Sequence, residues 1–287
     1  MLVGGDGMAL ATITPLEVNV LGRYIYELCG ILVDQSKAYL LESRLGPLLE
    51  EFQCRSYCEL YTRAQCDASQ HIPQRIIDAI STKETSFFRD QTPFDLLKCK
   101  LLPDYFDRVR GTASSPVPHL SLWSAACSTG QEVYSIAMTL KELPSDFGPY
   151  RSTILGTDIS DTALAQARCG CYNKVEMARG LFPDRITRYF QAVGSQWRVK
   201  DELRSLVSFR KLNLLESFAA LRTFDIIFCR NVAIYFSQAD RTRLFERLAT
   251  HLHPAGALLI GTTESLQGIT TRYIRKVYHN TVFYQLR

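Results

Sequence analysis

The chain has 287 residues, of which 46% are hydrophobic and 22% are charged, and its formal net charge is +4. This composition is typical of a globular protein that buries its own core without disulfides or metals. It excludes a membrane-spanning protein, because the longest apolar runs fall well short of the roughly 18–20 residues that a transmembrane helix needs.

Nine cysteines are scattered along the chain. They form no Cys-x-x-Cys pair, and no histidine stands at zinc-finger spacing, so no metal site is expected. We interpret the cysteines as reduced thiols, several of them buried. A secretion signal has a basic start and an apolar core, and both are missing from the first residues, MLVGGDGMALATIT. We therefore expect a cytoplasmic protein.

The charge is divided unevenly along the chain. Residues 1–80 carry six Lys/Arg and ten Asp/Glu, a net charge of −4, whereas the remainder carries +8. This asymmetry predicts two units with different partners. No dense Lys/Arg stripe occurs, so no nucleic-acid partner is expected. Nothing in the sequence resembles a coiled coil or a long exposed apolar helix, so we expect a monomer without direct membrane insertion.

The first part of the chain is predicted to be a small all-helical domain over residues 1–80. Apolar residues at helical spacing predict helices over Leu16–Cys29, from Asp34 to about Phe52, and over Tyr57–Ala64 and Ile72–Ile80. Gly30 ends the first helix, and Asp34 is a suitable N-cap for the second. Gly46 and Pro47 are expected to interrupt that second helix.

Residues 81–118 connect the helical domain to the rest of the chain. Pro93 to Val109 is predicted to be helical, with a break or kink at Pro103. The segment from Gly111 to Pro118 has the Ser, Thr, Gly and Pro content of a linker.

From residue 119 onward, strands and helices alternate. Strands are predicted over His119–Ala126, Ser152–Asp158, Phe224–Cys229 and Ala257–Gly261, and helices over Gln131–Leu143, Asp161–Arg168 and Gln238–Leu252. This alternation predicts a parallel sheet that is covered on both faces. Residues 169–212 break the alternation and are interpreted as an insertion, with short strands at Trp197–Val199 and Leu206–Leu212.

The end of the chain has a different pattern. Tyr273–Tyr278 and Thr281–Leu286 alternate in apolar character around His279 and Asn280, which predicts a closing antiparallel hairpin. A parallel sheet that ends in such a hairpin favours the methyltransferase form of the doubly wound fold over the dehydrogenase form. Residues 119–287 are therefore predicted to form one α/β domain.

Polar side chains follow three of the predicted strands, where doubly wound sheets bind their ligands. Glu132 lies in the first helical turn after the first strand, where it can bind an ammonium group or simply stabilise the helix dipole. Asp158 ends the next strand, where it can bind both hydroxyls of a ribose or cap the following helix. Arg230 and Asn231 together end a fully apolar strand, and surface polarity is a weak explanation for that pair.

A further motif, STKETSFFRD, covers Ser81–Asp90. Thr85, the two phenylalanines and Arg89 cannot all face one core. At least one of Phe87 and Phe88 is expected to pack in the interior. The other is free to line a site, where an aromatic face attracts a sulfonium cation by about 0.5–2 kcal/mol.

Four segments together resemble the chemotaxis receptor methyltransferase family, CheR. They are Thr82–Asp90, Leu122–Met138, Leu155–Ile159 with Ala167–Tyr172, and Asn213–Glu216 with Phe224–Phe236. The amino-terminal helices and Gly261–Ser265 also resemble this family, so the likeness spans roughly residues 16–286. One such motif is moderately specific, and four in order with family-like spacing are very specific.

The resemblance implies an α/β protein with two domains: a helical amino-terminal domain and a Rossmann-like class I methyltransferase domain that carries a small β insertion. It implies S-adenosylmethionine as the cofactor, S-adenosylhomocysteine as its product, and methyl transfer to glutamate side chains of chemoreceptor cytoplasmic helices. It also implies that the first part of residues 81–118 contacts the cofactor.

The family's cofactor contacts, carried over residue by residue, fall on Lys83, Thr85, Arg89, Glu132, Asp158, Asn213, Leu214, Arg230 and Asn231. The family often has asparagine at the position of Lys83. Tyr235 matches a family tyrosine near the transferable methyl group, and Tyr235 and Arg89 are the candidate catalytic residues. Arg44 matches a basic helix position that meets the protein substrate.

Two departures from the family pattern concern the substrate. The second helix of the family is often strongly basic, whereas residues 1–80 are net acidic here, so the receptor surface is less acidic or the substrate is a different protein. Some members use their insertion to grip a tethering peptide at the receptor C-terminus. Gln191–Trp197 is shorter than in those members and holds one glycine, which favours an enzyme that needs no tether.

Three other functions compete with this interpretation. A methyltransferase of the same fold could act on a small molecule or nucleic acid, but the helical domain favours a macromolecular substrate, and the chain has no Asn/Asp-Pro-Pro-Tyr element. A cofactor-binding scaffold without activity would not need the full set of site residues. A nicotinamide oxidoreductase is disfavoured because the sequence has no G-x-G-x-x-G fingerprint.

Overall fold

The computed structural model describes residues 12–110 and 117–287. The first eleven residues and positions 111–116 of the predicted linker lie outside the described residues. The chain divides into two compact units, one ending at Thr82 and the other beginning at Lys83. The sequence pattern predicts the end of the helical domain at residue 80, two positions earlier.

Within residues 12–82, the first unit contains four α-helices, as predicted. They are α1 (Pro15–Cys29), α2 (Ala38–Glu51), α3 (Tyr57–Cys66) and α4 (His71–Ile80). Gly30 ends α1 in the left-handed conformation, and Asp34 caps a short 3-10 turn that precedes α2. Helix α1 packs on α3, and α2 packs on α4.

Helix α2 corrects one prediction, because it continues through Pro47 without interruption. A proline inside a helix removes one backbone hydrogen bond and costs about 3 kcal/mol. Leu45, Leu48 and Leu49 are all buried on this helix. Each such burial contributes about 1.5–3 kcal/mol, so the buried face of α2 offsets the cost of the proline.

The second unit begins with an irregular helical stretch, as the proline at position 103 predicts. Helix α5 (Thr92–Leu96) runs into one π-helical turn (Leu97–Leu101) and then into α6 (Leu102–Arg110). Because Pro103 has no N–H, the carbonyl of Cys99 lacks its α-helical donor. The Tyr278 hydroxyl donates a hydrogen bond to that carbonyl at 3.4 Å.

The main sheet of the second unit has seven strands. In chain order, its elements are β1 (His119–Ala125), α7 (Gln131–Lys141), β2 (Arg151–Asp158), α8 (Asp161–Cys169), then, after a small subdomain, β6 (Val207–Lys211), β7 (Phe224–Cys229), α12 (Gln238–His251), β8 (Leu252–Ile260), β9 (Tyr273–Tyr278) and β10 (Thr281–Leu286). The strand order is β6-β2-β1-β7-β8-β10-β9. The first five of these are parallel, and β10 is antiparallel to both of its neighbours, which confirms the parallel sheet and the closing hairpin.

The subdomain between α8 and β6 is built on a second sheet of three strands. Its elements are β3 (Cys171–Tyr172), α9 (Lys174–Ala178), α10 (Pro183–Tyr189), β4 (Phe190–Val193), β5 (Gln196–Val199) and α11 (Asp201–Arg204). Strand β6, at the end of the predicted insertion, pairs with β2 in the main sheet instead. The exposed, polar positions of β6 are typical of an edge strand. For this reason its sequence pattern does not indicate that it belongs to the main sheet.

The two faces of the main sheet bury two separate hydrophobic clusters. Leu122, Phe228 and Leu259 face one cluster, which α5, α6 and α7 cover. Trp123 and Ile227, their neighbours along the strands, face the other, which α12 covers. This alternation on a sheet covered on both faces fixes the register of the central strands, and so fixes where their carboxyl ends lie.

The structure corrects the interpretation of all nine cysteines as reduced thiols. Cys169 and Cys171 form a disulfide, with 5.3 Å between their Cα atoms, and the other seven cysteines are free. Gly170 ends α8 in the left-handed conformation. This turn brings the flanking cysteines to the same side of the chain, within the ordinary range of Cα distances for a disulfide.

Among the helices of the described ranges, none combines the length and apolar character needed to cross a membrane.

Gly180 is a position where we expect a substitution to be costly. It has φ +94°, and a Cβ atom there would lie 1.8 Å from the carbonyl oxygen of Phe87. Gly180→Ala is therefore expected to lower the free energy of unfolding by more than about 2 kcal/mol, because the clash adds to the strain of a left-handed alanine. Urea denaturation of both proteins measures the difference.

Gly194 supplies the matched control. It also has a positive φ, +59°, but a Cβ atom there would meet no atom within 4 Å. Gly194→Ala should therefore cost only the backbone term, about 1 kcal/mol. Equal losses for the two variants would show that the close approach of Gly180 to Phe87 does not matter.

Candidate active site

The carboxyl ends of β1, β2 and β7 open at one place. From the central strand β1 the chain goes to β2 on one side, and it later enters β7 on the other side. Such a reversal of strand order leaves a crevice at the carboxyl ends, which is where doubly wound sheets bind ligands. Four of the predicted site residues lie at these ends: Glu132, Asp158, Arg230 and Asn231.

Arg230 joins three segments at this crevice. Its side chain is 1% exposed, and its Nη1 donates to Glu132 Oε2 at 2.9 Å. Its Nη2 donates to Asp90 Oδ2 at 2.7 Å and to the carbonyl oxygen of Arg89 at 3.1 Å. The second oxygen of Glu132 accepts a hydrogen bond from the Ser124 hydroxyl at 2.8 Å. One buried guanidinium and two carboxylates leave this cluster with one excess negative charge, which favours a cationic ligand.

Asp158 is held by the backbone on both sides. Its Oδ2 accepts from the Ser128 N–H at 2.7 Å, and its Oδ1 accepts from the Ser160 N–H at 2.9 Å. The side chain of Ser160, and not that of Asp158, caps α8 through the Ala163 N–H. The N-cap explanation for Asp158 therefore fails. Its carboxylate is instead fixed beside the loop after β1, where it is 9% exposed.

Asn231 has the left-handed conformation, with φ +58°. Its N–H donates to Glu264 Oε2 at 2.8 Å, and the Gly261 N–H donates to the same oxygen at 2.6 Å. Burial raises the pKa of the Glu264 carboxyl, although these two N–H groups oppose that shift. The turn that follows β7 is thus fixed by a residue in the loop that follows β8.

Tyr235 lies four residues after Asn231, at the end of a 3-10 turn that covers Ala233–Tyr235. Its ring is partly buried against the hydrophobic cluster on the α12 face of the sheet. It therefore lies just beyond the carboxyl end of β7, and its place near a transferable methyl group stays a prediction.

Asn213 and Leu214 lie in the turn that follows β6. The Asn213 side-chain oxygen accepts from the Leu215 N–H at 3.0 Å, and Leu214 is buried. Arg247 on α12 donates from Nη2 to the Leu214 carbonyl and from Nη1 to the carbonyls of Leu215 and Glu216, all at 2.6 Å. Arg247 thus fixes the backbone of this turn from α12, a helix that comes much later in the chain.

The predicted residues of the Ser81–Asp90 motif are less buried. Lys83 donates from Nζ to the Thr162 hydroxyl at 2.7 Å, at the start of α8. Arg89 donates to the carbonyl oxygen of Glu84 at 3.0 Å, and Thr85 is partly buried. Lys83 therefore lies at the Asp158 side of the site, whereas the backbone carbonyl of Arg89 contacts Arg230.

Both phenylalanines of this motif pack in the same core, at 0% and 4% exposed. At least one of them is expected to pack in the interior, and both do. Phe88 has φ +48°, which turns its ring to the same side as that of Phe87. Phe88 also borders a cleft of about 800 Å³, but the guanidinium of Arg185 lies over its ring, 3.8 Å from the centroid.

Arg44 belongs to the first unit, where its guanidinium contacts two residues of that unit. It donates to the carbonyl oxygen of Ile80, at the end of α4, and to the Thr82 hydroxyl at 3.2 Å. These contacts give Arg44 a role in ending α4. The substrate contact implied by the family resemblance remains a prediction.

Two cysteines lie close to the site, Cys127 after β1 and Cys229 at the end of β7. Both are buried, and burial raises the pKa of each thiol well above its ordinary value. A thiol acts as a nucleophile only as the thiolate, so neither side chain is activated for covalent catalysis at neutral pH.

The sequence reasoning did not single out Asp90, Glu264 or Arg247. Asp90 directly follows the SFFR motif, and Glu264 lies within Gly261–Ser265, so both stand in segments that resemble the family. Asp90 and Glu264 could have been identified from the sequence because each is a charged residue within a motif that resembles the family. Arg247 has no such signal, because an arginine on an amphipathic helix is ordinarily a solvated residue.

Comparison with known proteins agrees with this arrangement. Residues 17–81 match the family model "CheR methyltransferase, all-alpha domain", and residues 83–282 match "CheR methyltransferase, SAM binding domain". A chemotaxis protein methyltransferase of Pseudomonas putida, named Cher2, is 40% identical over 87% of this chain and 90% of its own length. One of Vibrio parahaemolyticus is 38% identical over 98% of this chain and 100% of its own, and one of Borreliella burgdorferi is 35% identical over 89% and 90%.

The site fits S-adenosylmethionine, the cofactor of this family. Ser128 Oγ and Arg230 Nε are buried and have no hydrogen-bond partner within residues 12–110 and 117–287. Asp158 offers a fixed carboxylate to ribose hydroxyls, and the net negative Arg230 cluster suits the positive charge of a sulfonium or ammonium group. The helical first unit, the class I methyltransferase fold of the second and these sequence matches lead to one conclusion: the chain belongs to the CheR family of S-adenosylmethionine-dependent methyltransferases.

Proposed function

We propose that this protein is a protein-glutamate O-methyltransferase of the cytoplasm that acts as a monomer on the cytoplasmic helices of chemoreceptors and forms glutamate methyl esters. The observation that carries the proposal is the cluster at the carboxyl ends of β1, β2 and β7. There, a fixed acceptor, Asp158, ends β2, and a net negative group built on Arg230 lies at the end of β7. The names of the relatives, which are chemotaxis protein methyltransferases, support the choice of a receptor as substrate.

The reaction needs no general base. A glutamate side chain has an ordinary pKa of about 4.3, so at neutral pH it is already a nucleophilic carboxylate. When bound, S-adenosylmethionine would supply a methyl group on a positively charged sulfur; transfer to the carboxylate oxygen would form the O–CH3 bond, break the C–S bond and release S-adenosylhomocysteine. The contribution of the protein is then to hold the two groups in register, which can supply roughly 7–11 kcal/mol of the barrier in favourable cases.

Different residues of this chain are assigned to different parts of this positioning. Asp158 holds the ribose hydroxyls, and the carboxylates of Glu132 and Asp90 balance Arg230 while they favour the cationic end of the cofactor. Tyr235 orients the attacking carboxylate, and Arg89 holds a carboxylate of the substrate or of the cofactor. Lys83, Thr85, Asn213, Leu214 and Asn231 complete the contacts to the cofactor. Water is excluded around the nucleophile, which strengthens these interactions.

The test is methyl transfer from labelled S-adenosylmethionine to the purified cytoplasmic fragment of a chemoreceptor from the same organism. We expect label that is released as methanol by mild base, because that lability identifies a methyl ester. Receptor variants with glutamine in place of the modified glutamates serve as controls and should accept no label. Base-stable label, or label that persists in those controls, would contradict glutamate esterification.

Tether independence is a separate part of the proposal. Strands β4 and β5 are joined at Gly194 and Ser195, so the turn between them is short. We expect the rate of methyl transfer to be unchanged when the last residues of the receptor are removed. A peptide of that sequence should not bind in calorimetry, and low-micromolar or tighter binding would overturn this expectation.

Tyr235→Phe tests the orienting role of the tyrosine hydroxyl. We expect a fall in kcat of about tenfold or more, with little change in affinity for S-adenosylhomocysteine, because the lost hydrogen bond acts on the attacking oxygen. Single-turnover methyl transfer and calorimetry measure the two quantities. An unchanged kcat would remove Tyr235 from the mechanism.

Arg44 is proposed to contact the receptor as well as to end α4. Arg44→Gln should raise the KM for the receptor fragment without changing the affinity for the cofactor. An unchanged KM in a folded variant would leave Arg44 with its structural role alone.

A further inference from the structure

Glu264 lies in the loop after β8 with its carboxylate turned inward. Its Oε2 accepts hydrogen bonds from the backbone N–H groups of Asn231 and Gly261, at 2.8 and 2.6 Å. Its Oε1 is buried and has no partner among the residues that the structure describes. A buried carboxylate is costly and persists where its hydrogen bonds offset that cost. Glu264 accepts a hydrogen bond from the turn that carries Asn231. We therefore interpret the glutamate as a residue that stabilises that turn.

This turn needs an external restraint. Asn231 has φ +58°, a left-handed conformation that asparagine adopts more readily than most residues but that is still less stable than the ordinary regions, so hydrogen bonds from outside the turn favour it. Strands β7 and β8 are paired up to Cys229 and Ile260, so the turns after them start side by side. A Cβ atom on Gly261 would lie 2.5 Å from Glu264 Oε2 and 2.8 Å from Asn231 Nδ2. The glycine therefore leaves room for the glutamate to reach the Asn231 backbone.

We propose that Glu264 is a positioning residue for cofactor binding, which fixes Asn231 in its left-handed conformation and thereby aims the side chains of Asn231 and Arg230 into the site. The inference rests on the proposed function, which assigns Arg230 and Asn231 to the cofactor. Glu264 itself needs no contact with the cofactor or the substrate. It acts through the backbone of Asn231.

Two variants of similar side-chain volume test the hydrogen bonds between Glu264 and the backbone N–H groups of Asn231 and Gly261 without opening a cavity. Glu264→Gln keeps a carbonyl oxygen that can accept from both N–H groups, whereas Glu264→Met keeps the shape but has no acceptor for them. We expect Glu264→Met to weaken binding of S-adenosylhomocysteine by about tenfold or more, and Glu264→Gln to stay within about threefold of the unmodified protein. Calorimetry on the full-length chain measures both, and thermal unfolding shows that each variant is folded.

Asp225 provides the matched control on β7. It lies at the opposite, amino end of β7, and its Oδ2 accepts from the Ser121 N–H at 2.9 Å. Burial raises the pKa of its carboxyl, as it does for Glu264. Asp225→Asn and Asp225→Leu should therefore lower thermal stability in the same way as the Glu264 variants do, yet leave the affinity for S-adenosylhomocysteine unchanged.

The outcomes distinguish a failure of the proposed function from a failure of the role proposed for Glu264. If the unmodified protein binds no S-adenosylhomocysteine, the proposed function fails before Glu264 is tested. If it binds, and Glu264→Met binds as tightly while folded, Glu264 is merely structural and the inference is overturned. The inference is also overturned if Glu264→Gln binds no better than Glu264→Met, or if Asp225→Leu loses affinity to the same extent. Rescue by glutamine alone, with affinity unchanged in both Asp225 variants, supports it.

Discussion

Arg230→Leu is expected to abolish measurable binding of S-adenosylhomocysteine and to lower the free energy of unfolding by about 3 kcal/mol, because removal of one partner leaves the largely buried Glu132 carboxylate without its counter-charge. The guanidinium contacts Glu132, Asp90 and the Arg89 carbonyl at once. Arg230→Lys should recover only part of the loss, since an ammonium cannot reproduce the planar fork of donors. Urea denaturation and calorimetry measure the two effects.

Arg185→Leu is the control for this experiment. Arg185 pairs with both oxygens of Glu142, at 2.9 and 2.8 Å, just past the end of α7, the helix whose first turn carries Glu132. The two glutamates are about 15 Å apart along the helix axis, from the 1.5 Å rise per residue. Arg185→Leu should therefore lower stability but leave cofactor affinity intact. Equal loss of affinity in both variants would mean that the Arg230 cluster has no special part in binding.

Asp158→Ala is expected to weaken binding of S-adenosylhomocysteine by roughly 100-fold or more. A charge-assisted hydrogen bond contributes about 1.5–3 kcal/mol, and this carboxylate would lose its bonds to the ribose as well as its hold on the loop after β1. Asp158→Asn keeps one acceptor oxygen, so its affinity should lie between those of the unmodified protein and Asp158→Ala. Calorimetric titration of the three proteins at one pH measures the series.

Asp240 gives the comparison for Asp158, because it too is buried, at 1% exposed, but lies in the first turn of α12, where its Oδ2 accepts a hydrogen bond from the Ser237 hydroxyl at 2.6 Å. Asp240→Ala should destabilise the protein without weakening cofactor binding. If Asp158→Ala binds S-adenosylhomocysteine as tightly as the unmodified protein, the ribose assignment is wrong, and the carboxylate serves only to anchor the Ser128 and Ser160 backbone.

Strong periodic patterns were predictable from the sequence. Strand β7 and both strands of the final hairpin have the predicted bounds, because a largely apolar run and an alternating pattern around a turn each favour one arrangement. Strand β8 begins at Leu252, five residues before the predicted start. Helix α12 runs into it without a loop, and His253-Pro254 at that point has the composition of a turn.

The polar network of the site was harder to predict than the sheet. The sequence identifies Glu132 and Arg230 as unusual, but not as partners, because 98 positions separate them and each has other local explanations. The same holds for Glu264 and Asn231, whose contact depends on the pairing of β7 with β8. Side-chain pairing across distant segments follows from the register of the sheet, which no local pattern contains.

The contacts of Arg230 also bear on how such a chain can be recombined. Arg230, at the end of β7, pairs with carboxylates from two other segments, the one around Asp90 and the start of α7, so each of these three charges depends on the other segments for its balance. A chimera that takes one of these segments from a relative with a different charge at the matching position should lose stability, whereas exchange of all three together should restore it. Among natural relatives, these three positions should therefore change in concert.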